Sequence, residues 1–320
     1  MPTKRILGYL VTALILVFMG RTLYINGQSL RGYDWQLNYP LLAVSVLAAT
    51  GTFALYAWLW RLIVQRLGAN VSYTQAFRIY FLANLGRYVP GKVWQFVGWA
   101  YLGEQAGMER APVLTSLPVN LGLQVLTGLG LGVATLIFIR GGEMQDRYWF
   151  LLLAIPIGLV LAIQPGIMGK VLNWGLGKVG REPVKLDLRS GDMAFFALGH
   201  VGCWAVYSVA FYLFVYSVQP VPLTDLPALG ASYIAAWVIG FLSFLTPSGL
   251  GIREGLLAYF LGFWLPAPVA VVIGLLSRLW VTAGELIGAA IAWRIGPPKK
   301  EPRTSRDEPG NERLATDENG

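Results

Sequence analysis

Two long apolar stretches of this chain are each broken near the middle by proline, glycine and charge. Residues 77–101 read FRIYFLANLGRYVPGKVWQFVGWAY, with breaks at Gly86, Pro90 and Gly91. Residues 228–264 are equally apolar and are broken at TPSGLGIREG, residues 246–255. In water each break would be an ordinary loop. In hydrocarbon, non-helical backbone is tolerated only where it is buried in protein or lines a wet cavity. Membrane is the solvent this chain is built for: 55% of its 320 residues are hydrophobic, mean hydropathy is +0.55, and 13% are charged. A soluble domain carries about a quarter charged residues. The expected fold is an all-α, polytopic membrane helix bundle. A pair of Gly/Pro-interrupted segments in corresponding places of two halves points to a transporter's binding site.

A net charge of +8 suggests a nucleic-acid binder until the placement of the charge is considered. The Lys and Arg residues cluster at the ends and loops of apolar spans, where they set topology, so nucleic acid is not an expected partner. The single cysteine, Cys203, leaves no intrachain disulfide, and the single histidine, His200, excludes a metal site that needs two. Both lie in an apolar run and read as packing residues. No metal and no cofactor are expected. Lys4 and Arg5 precede an apolar run that continues to Ile25 without a small-x-small cleavage site, so this segment reads as a retained first span.

A span takes about 20 mostly apolar residues. Spans are expected at 6–25, 41–63 and 112–139 in a first half (1–140), and at 148–164, 193–218 and 268–293 in a second (141–296), each half also holding one broken stretch. Pro90 and Pro247 occupy equivalent places, as do Gly128-x-x-x-Gly132 and Gly284-x-x-x-Gly288; such small-residue pairs let helices approach closely in lipid. If both broken stretches are re-entrant, six full crossings remain. The side of the N-terminus then holds 16 Lys and Arg residues and the other side four: Arg21, Arg31, Arg140 and Arg147. Full crossing of both would give eight spans and a weaker asymmetry, 12 against eight. The positive-inside rule favours re-entrance from opposite faces, an inverted repeat, and cytoplasmic termini. The tail at 297–320 is polar, charged and Pro-containing and is expected to be disordered.

Ionisable groups inside spans are expensive, at least about 2.5–3.5 kcal/mol each near the bilayer centre, and call for a purpose or a partner. Arg78, Arg87, Lys92, Arg253, Arg278, Glu254 and Glu285 fall there. Arg87 and Lys92 bracket Pro90–Gly91, after which a half-helix should begin; its free N–H groups and positive dipole would add to a site for an anionic headgroup. Snorkelling to the near interface is the plainer reading. In the second break Gly249, Gly251 and Gly255 allow close backbone approach, and Arg253 faces either a second anionic site or Glu285. Arg253 and Glu254, adjacent on a helix, should not pair with each other. Glu254 binds a cationic part of a substrate, carries a coupling proton or neutralises Arg278. Arg278 and Glu285, two turns apart, share a face of the last span. Asn120 and Gln124 share a face of the third span and read as helix glue, and Trp94, Trp99, Trp149 and Trp293 as interfacial anchors.

The pairing of N-x-G-R-Y-V-P-G-K-V-W (Asn84 to Trp94) with P-x-G-x-G-x-x-E (Pro247, Gly249, Gly251, Glu254) resembles the lysylphosphatidylglycerol synthase transmembrane region, also called the flippase-like membrane domain family. The resemblance runs to about Gly296. It implies a multi-span bundle with a lipid-related role. In the bifunctional multiple peptide resistance factor the equivalent region moves lysyl-phosphatidylglycerol between leaflets; other members are linked to hopanoid lipids or surface glycolipids. Only a short tail follows the last span here, so synthesis of lysyl-lipid is not expected.

The expectation is therefore a stand-alone lipid flippase or lipid-binding transporter of the cytoplasmic membrane, not an enzyme, with a membrane lipid bearing an anionic or aminoacylated headgroup as its partner. Its site would comprise Arg87, Lys92, Arg253, Asn84, Pro90, Gly91, Pro247, Gly249 and Gly251. Glu254, Arg278 and Glu285 would serve coupling or charge balance. No G-x-x-x-x-G-K-[ST] loop occurs, so the driving force is not ATP bound to this motif. The alternatives are an accessory subunit for a synthase or glycosyltransferase on another chain, and an intramembrane lipid-linked transferase; one histidine and one cysteine weigh against the latter. Cysteine-accessibility labelling on a Cys203-free background tests the topology. Re-entrance predicts that substitutions in the loops flanking the first break all react from the cytoplasmic side; labels split across both faces refute it.

Overall fold

The computed structural model describes residues 37–88, 94–139, 164–178, 186–243 and 251–297, together with a few isolated positions. All regular structure among them is helical. The helices are α1 (Tyr39–Arg66), α2 (Tyr73–Asn84), α3 (Trp94–Gln105), α4 (Arg110–Ile139), α5 (Pro165–Lys178), α6 (Ser190–Val218), α7 (Leu226–Leu242), α8 (Ile252–Leu261) and α9 (Ala267–Ile295). Short 3-10 turns, Leu85–Tyr88 and Leu223–Asp225, follow α2 and precede α7. Among the described residues, five segments are long and apolar enough to cross a membrane: Tyr39–Arg66, Arg110–Gly132, Ser190–Val218, Leu223–Leu242 and Ala267–Ile295. Four of these match expected spans to within a few residues. The spans expected at 6–25 and 148–164, and the tail beyond Pro297, lie almost wholly outside the described residues.

Local chemistry sets the helix ends. Asn38 Oδ1 accepts from the Leu41 N–H at 3.0 Å to start α1, and Ser72 Oγ accepts from the Gln75 N–H at 3.3 Å to start α2. Helix α5 lies in the segment between the spans expected at 148–164 and 193–218. Its inner side sets Met168 against Gly122 of α4, while Lys178 lies 3.8 Å from the centre of the exposed Trp174 ring.

The first broken stretch is a helical hairpin. Arms α2 and α3 have 12 residues each, about 18 Å at 1.5 Å per residue, against about 30 Å of hydrocarbon. They run antiparallel in contact. A methyl at Gly86 would fall 2.8 Å from the Gln95 nitrogen, one at Gly98 would lie 3.3 Å from the Ala83 Cα, and Tyr80 meets Trp99 edge-on at 5.7 Å. Both outer ends therefore lie on one side, as re-entrance requires. Trp99 is buried between Trp60 and Tyr80, not an interfacial anchor as expected; Trp94 and Trp293 are exposed.

The second hairpin is less symmetric than its sequence suggests. Its short arm α8 has 10 residues, but α7 with its 3-10 turn gives 20 residues, enough to cross by length alone. Nothing in 226–242 stops the helix, because its one proline sits in the first turn, where proline is tolerated. The arms pack antiparallel, with Gly240 against the Arg253 backbone.

The halves are inverted and interlocked. Helices α1 and α6, in equivalent places, run antiparallel: Asn38 N–H donates to Ser217 O at 2.8 Å at one end, and Leu59 fills the space beside Gly199 at the other. Each half's last helix packs on the other half's hairpin. Gly128 and Gly132 of α4 face Trp204, Val238 and Ala235 of the second half; Gly284 and Gly288 of α9 face Thr50 and Phe81 of the first. Gly132 and Gly284 meet backbone of the facing helix, at Ala235 and Thr50, while Gly128 and Gly288 make room for the Trp204 and Phe81 rings.

Helix α9 receives both hairpins. The first packs along its C-terminal half, with Phe81 on Gly288 and Phe77 beside Ala292. The second packs along its N-terminal half, with Ala258 beside Val271 and Gly274. The two tips therefore approach from opposite ends and stop on either side of the middle of α9. Replacing Gly288 by Leu drives a side chain into the Phe81 ring. The expected cost is about 1–3 kcal/mol, typical of overpacking, read as a lowered Tm in detergent; an unchanged Tm would refute this packing.

Candidate functional site

The tips of the hairpins carry the charges that sequence alone leaves unpartnered, and α9 supplies an opposite charge to each. Arg87, in the turn after α2, forms an ion pair with Glu285, Nη1 to Oε1 at 3.0 Å. Tyr88 beside it donates its hydroxyl to Glu285 Oε2 at 2.5 Å and lies 3.2 Å from Thr282 Oγ1. At the other tip Glu254 meets Arg278, Oε1 to Nη1 at 3.4 Å, and its Oε2 accepts the Gly251 N–H at 2.8 Å. Gly251 starts α8 from the left-handed region, φ 82°, which a side chain would strain.

The expected pairing of Glu254 with Arg278 is thus present, and Arg253 and Glu254 form no ion pair with each other. Glu285 pairs with Arg87 instead of Arg253, because the first tip reaches the Glu285 level of α9 and the second the Arg278 level. Arg253 turns inward to Tyr233, donating from Nη2 to the hydroxyl and lying 4.9 Å from the ring centre. The Tyr233 hydroxyl is in turn 2.8 Å from that of Tyr207.

Arg87, Arg253 and Glu285 line one central cavity of about 40 Å³. Its walls are aromatic, from Phe53, Tyr56, Trp204, Tyr207, Tyr233 and Trp237, with Gln124 as a polar side chain. The wall is tied together by buried donors: Trp204 Nε1 donates to Gln124 O at 3.1 Å, and nearby Trp280 Nε1 donates to Ser45 Oγ at 3.0 Å. The Tyr56 hydroxyl, Asn120 Oδ1 and His200 Nε2 are buried and without a hydrogen-bond partner among the described residues. His200 Nδ1 is 2.8 Å from Phe196 O, and Cys203 is buried in the same core.

Not every expected residue reaches the cavity. Asn84 ties the neck of the first hairpin, its Oδ1 accepting from Gln95 Nε2 at 2.5 Å and its carbonyl accepting from Arg87 Nε at 3.0 Å. Glu254 and Arg278 lie at the second tip, outside the cavity lining. Lys92, Pro90, Gly91, Pro247 and Gly249 lie outside the described residues. Arg78 is buried on α2, and its Nε and Nη1 have no partner among the described residues. The residues that sequence reading misses are Tyr56, Tyr88, Tyr207 and Tyr233. Tyr88 stands within the first motif and was legible there; the other three carry no local signal in an aromatic-rich chain.

Removing one partner of a buried ion pair costs about 3–5 kcal/mol because it strands the other charge; with Arg87 partly exposed, the lower end applies. Arg87→Gln and Glu285→Gln should each lower Tm, and the double variant should recover part of the loss. Strictly additive losses in that cycle would show that the two side chains are uncoupled.

Among curated proteins none matches the chain. The profile of the family described as Lysylphosphatidylglycerol synthase TM region matches residues 5–284, both broken stretches and α9 up to Gly284 included. Together with the helical bundle and its membrane-length helices, this match places the chain in the lysylphosphatidylglycerol synthase transmembrane-region family, a multi-pass membrane protein with a lipid-related role.

Proposed function

We propose that the protein moves the headgroup of an anionic or aminoacylated lipid between leaflets of the cytoplasmic membrane, with its termini on the cytoplasmic side and without covalent chemistry of its own. The observation that carries this reading is convergence. Two hairpins from opposite ends of α9 each bring an arginine, Arg87 and Arg253, into one aromatic-walled cavity. Intramembrane cations pair with a counter-charge or serve a ligand; Arg87 has Glu285, whereas Arg253 donates to the neutral Tyr233 hydroxyl, and guanidinium is suited to phosphate.

The cavity, about 40 Å³, is far smaller than the about 300–1,000 Å³ of a ligand pocket. A headgroup does not fit, so this is a closed state. Entry requires one hairpin tip to withdraw from α9, breaking Arg87–Glu285 on one side or Glu254–Arg278 on the other. With one pair intact while the other is open, the headgroup reaches the cavity from one leaflet at a time, as alternating access requires. The acyl chains stay in the bilayer throughout.

The test is headgroup scrambling in proteoliposomes carrying a panel of tracer lipids. Wild-type protein is expected to move at least one anionic or aminoacylated lipid. Arg87→Ala and Glu254→Gln, reconstituted at equal folded yield, are expected to lose about tenfold or more in rate, the equivalent of one charge-assisted hydrogen bond. No movement of any lipid by folded protein would overturn the proposal.

A further inference from the structure

Arg253, near the start of α8 on the second hairpin, is buried. Its partners are neutral: Nη2 donates to the Tyr233 hydroxyl, and the guanidinium lies 4.9 Å from the ring centre. It forms no ion pair among the described residues. Glu285 is nevertheless close, because both side chains line the same cavity of about 40 Å³, a space only a few ångströms across. Glu285 gives both oxygens to the first hairpin, Oε1 to Arg87 at 3.0 Å and Oε2 to the Tyr88 hydroxyl. One carboxylate on α9 thus faces the same small space as an arginine from each hairpin, and only one of the two holds it.

We propose that Arg253 is a positioning residue, the second counter-ion of Glu285: when Arg87 leaves with the first tip, Glu285 passes to Arg253. A carboxylate left alone in an aromatic site is costly. The Arg253 guanidinium reaches it by a change of side-chain rotamer, and exchanges a neutral acceptor for a charged one, which makes the stronger hydrogen bond. The new pair joins α8 to α9, so the second hairpin gains a contact with α9 as the first loses its own. The Glu254–Arg278 pair already fastens that second tip. On the reading that the tips withdraw in turn, the exchange keeps both from opening at once, the condition that alternating access sets.

The experiment uses the full chain in detergent at neutral pH, with Arg87→Gln standing for the departure of Arg87. Arg253→Gln is expected to lower Tm more in the Arg87→Gln background than in wild type, and Arg253→Lys to restore most of that excess. Adding Glu285→Gln should abolish the excess, because no carboxylate is left to pass on. Equal losses in the two backgrounds overturn the exchange, Glu285 then being met by a proton or by solvent. If the double variant does not fold, Arg87→Lys gives the same comparison, since a lysine loosens the first tip without removing its charge. Docking of the second hairpin is read separately, as thiol labelling of Ala258→Cys in a Cys203→Ala chain. Ala258 is buried beside Val271 of α9. Labelling is expected to stay slow in Arg87→Gln and to rise about tenfold or more when Arg253→Gln is added, the scale of one charge-assisted hydrogen bond; an unchanged rate overturns the interlock. Neither readout involves lipid. A chain that moves no lipid yet shows the excess loss keeps the exchange and loses the transport reading, and one that moves lipid with equal losses does the reverse.

Discussion

Backbone that stops being helical half-way through hydrocarbon must find its partners inside the protein, and the arrangement of this chain follows from that requirement. Neither α2 nor α3 spans the apolar layer, and α8 is shorter still. Each broken stretch folds back on itself so that its two arms shield one another. The described residues beside each tip then meet α9. The ion pairs of Arg87 with Glu285 and of Glu254 with Arg278 fasten the two tips at levels of α9 two turns apart.

Such docking works only if backbones come close, and the glycines decide where. Apolar side chains gain little from meeting each other in lipid, so helices there associate through close packing and interhelical hydrogen bonds. Gly128 and Gly132 let α4 lie against the second half, and Gly284 and Gly288 let α9 lie against the first. Trp60, Trp204 and Trp280 then staple the helices with buried indole hydrogen bonds to Ser116 Oγ, Gln124 O and Ser45 Oγ. This exchange of terminal helices ties the two halves together, and each hairpin is held both by such a glycine crossing and by the ion pair at its tip.

The frame also fixes the electrostatics. Because α9 carries one acid and one base on one face, each tip meets its opposite charge, and the surplus falls on Arg253. The Tyr233–Tyr207 pair meets that surplus with neutral dipoles in an aromatic site. A positive cavity between two ion-paired hairpin tips is chemically suited to an anionic headgroup.

The sequence by itself determined the solvent, the helix class, four span positions and the two breaks, since these depend on local hydropathy and on proline and glycine acting where they stand. It also marked Arg87, Arg253, Glu254 and Glu285, because charge in an apolar run is conspicuous whatever surrounds it. The partners of Arg87, Glu285 and Arg253 were decided only by the tertiary structure. Arg87 and Glu285 are separated by 198 positions, and nothing local distinguishes Glu285 from Glu254 as its counter-ion. The same holds for Tyr233 beneath Arg253, and for Trp99, whose burial between Trp60 and Tyr80 depends on how the hairpin closes. Pairing across helices is set by the level at which each hairpin stops along α9, a distance fixed by packing and absent from any single stretch of residues.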